Sequence, residues 1–71
     1  SLMPHQNSAG EWRFSPIEEL ENMAAGFEAV SQHLMKEFWK DRRKHRNVAR
    51  AEVYDLCAAR VREALKRLDT A

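Results

Sequence analysis

Apolar residues first fall into a regular rhythm at Ile17 and keep it as far as Phe38. Ile17, Leu20, Met23, Ala24, Phe27, Val30, Leu34 and Phe38 recur at the short intervals that place side chains on one face of an α-helix. At about 100° per residue they lie within an arc of roughly 140°. Glu18, Asn22, Gln32, His33, Lys36 and Lys40 occupy the opposite, solvent face. The start of this helix is marked. Ser15 suits the N-cap, Pro16 the first helical position, and Glu18 completes a capping box. Acidic Glu18, Glu19 and Glu21 also suit the positive end of the helix dipole. The spacing predicts a first helix over about residues 16–41, with Gly26 off its apolar stripe.

A second stripe follows at Tyr54, Cys57, Ala58, Val61, Ala64, Leu65 and Leu68, backed by Glu52, Asp55, Ala59, Glu63 and Lys66. Between the stripes stands Lys40-Asp41-Arg42-Arg43-Lys44-His45-Arg46-Asn47, which has no apolar residue, glycine or proline. One uninterrupted rod would carry the second stripe about 150° away from the first. A break within 41–47 lets the stripes face each other, so the pattern favours a hairpin whose second helix covers about residues 48–69. Asn47 is the candidate second N-cap, without an acidic partner for a capping box. Val53 and Leu56 fall off the second stripe and widen its apolar face.

Residues 1–14 hold one of the two prolines, one of the two glycines and several turn-formers, and read as a flexible lead-in. Ser1-Leu2 ahead of Met3 has the character of an expression-vector remnant before a start codon or fragment boundary. Trp12 and Phe14 are expected to fold back over an apolar edge of the helices, or else to form a short motif for a partner.

Length changes what this pattern implies. A chain of 71 residues buries only about 60% of its unfolded surface and needs a supplement to its core. Cys57 is its one cysteine, so no intrachain disulfide forms, and one cysteine with three scattered histidines offers no zinc set. Association is the remaining remedy. The expected fold class is therefore all-α, an antiparallel helical hairpin completing a four-helix bundle by homodimerisation. Composition agrees: 44% hydrophobic and 32% charged residues, with few β-branched residues and no hairpin-turn dipeptide.

The net charge of +1 argues against a polyanion binder by global field. Lys40, Arg42, Arg43, Lys44, Arg46 and Arg50 nevertheless cluster, with His45 among them, and are candidate phosphate contacts. A solvated turn at a helix C-terminus accounts for the same residues, and no nucleic-acid module accompanies them. His33, Glu37 and Asp41 share a helical face, but no metal-binding motif is present. Cys57 sits within the apolar stripe and reads as a small hydrophobe. No strained Gly-x-Ser-x-Gly turn or glycine-rich phosphate loop occurs. Met35 and Trp39 flank the first stripe, as the rim of an internal core or as an anchor for a second chain.

These readings converge on a non-catalytic protein–protein interaction or dimerisation module, of the kind that serves as a regulatory domain of a larger protein, with no catalytic, cofactor or metal site. Its interface and core residues are Ile17, Leu20, Phe27, Leu34, Phe38, Tyr54, Val61, Leu65 and Leu68. The partner is itself or a partner helix, with no membrane and no small-molecule substrate. The alternative is a small nucleic-acid-associated regulator touching phosphate through residues 40–50. Residues 1–14 lack the apolar run of a signal peptide, and a lone cysteine favours a reducing compartment, so the expected location is intracellular, cytoplasmic or nuclear.

Overall fold

A computed structural model describes residues 5–6, 12–13 and 15–70. Two helices, α1 (Pro16–Lys40) and α2 (Arg46–Thr70), pack against each other as a hairpin. Ahead of them β1 (His5–Gln6) pairs antiparallel with β2 (Trp12–Arg13), His5 opposite Arg13 and Gln6 opposite Trp12. The sequence pattern predicts no strand there. The expected return of Trp12 and Phe14 over the helices lies outside the described side chains.

α1 begins as its sequence dictates. Ser15 is extended, at φ −65° and ψ 160°, and its hydroxyl oxygen accepts from the Glu18 amide at 3.2 Å. Pro16 occupies the first turn, where its missing N–H goes unused. The helix stops at Asp41, whose extended backbone turns the chain while its amide still bonds to the Glu37 carbonyl at 2.9 Å. The Asp41 carboxylate accepts from the Arg43 amide at 3.1 Å and from the Arg43 guanidinium at 2.9 and 3.1 Å. This is an aspartate-built turn: a short side chain replaces the backbone partner that a continuing helix would supply.

α2 starts earlier than its sequence suggests. Arg46 is its first residue, so Asn47 lies inside the first turn and is not the N-cap. Its side-chain amide instead donates to the Leu34 carbonyl of α1 at 3.2 Å, tying the two helices together beside the turn.

The seam between the helices follows a heptad rhythm. Ile17, Ala24, Ser31 and Phe38 are seven residues apart, as are Leu20, Phe27 and Leu34. On α2 the matching sets are Ala51, Ala58 and Leu65, and Asn47, Tyr54, Val61 and Leu68. What fills the centre is small. Among the described residues only Ala24, Ala51, Ala58 and Ser31 are buried, each 4% exposed or less. Small side chains let two helix backbones approach closely, and helix separation follows the side chains at the contact. The larger seam residues are displaced to the edges of the contact. Leu20, Phe27, Leu34, Phe38, Tyr54, Val61 and Leu65 are half-buried, while Ile17 and Leu68 at the open end are exposed. Phe27 and Tyr54 meet across the seam with ring centroids 6.0 Å apart, a tilted contact within the favourable range.

Candidate interaction surface

Two helices side by side make a ribbon, and the heptad positions flanking the seam decide the chemistry of its two faces. On one face lie Glu21 and Glu28 of α1 with Asp55, Arg62 and Asp69 of α2. Here Arg62 donates to both carboxylate oxygens of Glu28, with Nε to Oε2 at 3.1 Å. The hydrogen bond from Arg62 holds the Glu28 carboxyl below its ordinary range, and the same pairing raises the guanidinium. A shallow groove on this face is lined by Glu21, Ala25, Arg62, Leu65, Lys66 and Asp69. Of its charges, Arg62 is already paired within the hairpin, with Glu28.

The other face is apolar away from the turn. Met23, Val30 and, next to the turn, Glu37 of α1 flank the seam there, with Arg50, Cys57 and Ala64 of α2. A groove of similar size is lined by Val30, Leu34, Arg50, Val53 and Tyr54. Met23, Val30 and Val53 are exposed, Val53 at 58%. Leu34, Tyr54 and Cys57 are half-buried beneath them. Arg50, placed by the sequence among phosphate contacts, is the one charged residue lining this groove, apart from the turn.

No known protein family, curated protein or solved structure matches the chain.

A third surface is the tip of the hairpin. Residues 36–50 carry seven of the twelve Lys and Arg but two of the eleven Asp and Glu, a local +5 in a chain of +1. Two of these cations are committed to the turn: Arg43 to Asp41, and Lys44 to Glu37 at 3.2 Å. Hydrogen bonds from Arg43 hold the Asp41 carboxyl below its usual range, and the Lys44 hydrogen bond does the same for Glu37. The Arg42 guanidinium instead lies over two rings, 4.3 Å from the centroid of Trp39 and 5.4 Å from that of Phe38. The rings touch edge to face at 5.5 Å.

Among the described residues no helix is long and apolar enough to cross a membrane. No group of three or more His, Cys, Asp or Glu side chains there is placed to hold a metal ion. Of the proposed interface residues, the structure brings Leu34 and Tyr54 to the apolar groove and Leu65 to the charged one. It separates Ile17 and Leu68 from both, at the open end. Sequence reasoning placed Val53 off the second stripe, as ordinary surface or a widening of its apolar face; its neighbourhood with Val30 is a product of the hairpin register. By sequence, Asp41 lies on a shared face with His33 and Glu37 and at the edge of the break, without its side chain being assigned to the turn, although aspartate ahead of a polar run is itself a turn signal.

Proposed function

We propose that this chain is a non-catalytic association module whose apolar face closes against a second copy, completing an antiparallel four-helix bundle. One observation carries the reading. The seam uses alanine and serine, so Val30 and Val53 stand exposed above Leu34 and Tyr54 instead of being enclosed. Large apolar side chains are worth roughly 1.5–3 kcal/mol each when fully buried, and a two-helix ribbon leaves that gain unrealised.

The dimensions support a copy of the chain as the occupant. A 25-residue helix is about 37 Å long, and two packed helices present a face about 20 Å wide. Such a face approaches the roughly 800 Å² per partner of a stable interface. A two-fold axis lying in the interface, parallel to the plane of the ribbon, would then pair like with like, as closed homodimers do. The groove lining of aliphatic and aromatic side chains with one arginine suits packing and provides no proton-transfer pair for a reaction.

Sedimentation equilibrium over a wide concentration range tests this directly. The 8.3 kDa chain is expected to weigh twice that until strongly diluted. Val30→Asp together with Val53→Asp returns it to monomer, while Asp55→Arg on the charged face leaves the dimer intact. A wild-type chain that stays monomeric throughout, or a dimer indifferent to the double aspartate variant, overturns the reading.

A further inference from the structure

The cations at the start of α2 are not explained by the helix C-terminus that accommodates Lys40. Helix N-termini favour carboxylates, yet the first turn of α2 contains no acidic residue and starts on Arg46. His45 precedes it and Arg50 follows one turn later, so like charge accumulates where the helix dipole is already positive. Asp41 and Glu37 form salt bridges with Arg43 and Lys44, and Glu37 also feels the charge of Lys40. Arg42 and Arg46 form no salt bridge with a carboxylate among the described residues.

The aromatic half of the cluster is equally placed for contact. Trp39, the largest side-chain type, is 60% exposed. Arg42 lies over part of the ring, 4.3 Å from its centroid, and its guanidinium makes no salt bridge among the described residues. An exposed indole beside Arg42, within the most basic stretch of the chain, presents a π-surface for a base and donors for the adjoining phosphates.

We infer that the tip is a binding platform for single-stranded nucleic acid: a base stacks on Trp39, and Lys40, Arg42 and Arg46 meet the adjoining phosphates. A duplex hides its base faces, and an acidic peptide has none to stack, so neither uses the ring that dominates the exposed surface here. The platform lies at the turn, away from Val30 and Val53, and the proposal stands whether or not the apolar face dimerises.

The test is a fluorescence titration of the full chain carrying Trp12→Phe, so that Trp39 is the one indole, with a short oligothymidylate. Quenching is expected to saturate. The logarithm of the association constant should fall with that of the salt concentration, with a slope of about −0.7 per phosphate engaged, or roughly −2 for three cations. Anisotropy of a labelled strand follows the variants. Trp39→Ala weakens binding by about tenfold or more with the salt slope retained, and Trp39→Phe restores most of it. Joint replacement of Lys40, Arg42 and Arg46 by glutamine flattens the slope. Far-ultraviolet circular dichroism confirms helicity in each variant. Absence of quenching, affinity unchanged in Trp39→Ala, equal affinity for a duplex of the same length, or binding to anionic vesicles in preference to the strand would each overturn the assignment.

Discussion

α1 and α2 are each 25 residues long, yet they are kept helical by different means. α1 has a serine cap, a proline in its first turn, Glu18 and Glu19 near its start and Lys40 near its end. Each of these acts within a few residues, so they are present in α1 before it touches anything. α2 has none at its start. Its opening amides bond back into the turn, Asn47 to Lys44 at 3.0 Å and Val48 to His45 at 3.2 Å, and the Asn47 side chain ties this start to α1. The difference teaches that α1 is specified by local sequence, whereas α2 is specified by docking onto α1.

The largest expected effect comes from forcing the helices apart. Ala58→Leu inserts a branched side chain into a site 2% exposed, and is expected to destabilise the hairpin by about 1–3 kcal/mol. Chemical denaturation followed by circular dichroism measures it; an unchanged midpoint would mean that the seam has room to spare. A smaller pair of substitutions sharpens the contrast between the helices. Ser15→Ala and Asn47→Ala should each cost about 1 kcal/mol in the intact chain. In isolated peptides they part company: Ser15→Ala lowers the helicity of an α1 peptide, while Asn47→Ala leaves an α2 peptide unaffected. The same peptide loss in both would break the comparison. Smallest is Gly26→Ala. A Cβ placed there meets nothing within 4 Å, so the substitution is expected to stabilise α1 by about 0.5–1 kcal/mol, seen as a raised Tm.

The same contrast explains what was legible in the sequence. The start of α1 was readable to the residue because Ser15, Pro16 and Glu18 act on the backbone beside them. The start of α2 was misplaced because Asn47 bonds across space, to a carbonyl that no local pattern reveals. The break itself was visible from the phase of two stripes, which is a property of the whole chain. Ala24 and Ala58 lie on those stripes, but Ser31 and Ala51 do not announce burial, since small or hydroxyl-bearing residues carry little apolar signal. Val53 illustrates the limit on the site: its role depends on which helix face it shares with Val30, and that register exists only after folding.

The single turn also makes the hairpin mechanically uneven. Near it, Asn47 reaches Leu34 across 13 residues of chain; Arg62 reaches Glu28 across 34. Closing the longer loop costs about 0.8 kcal/mol more in chain entropy, and Ile17 and Leu68 beyond it have little cover. Opening therefore proceeds like a zipper from the free ends toward the turn. The rings and guanidinium of the turn thus sit on the part of the molecule that separates last.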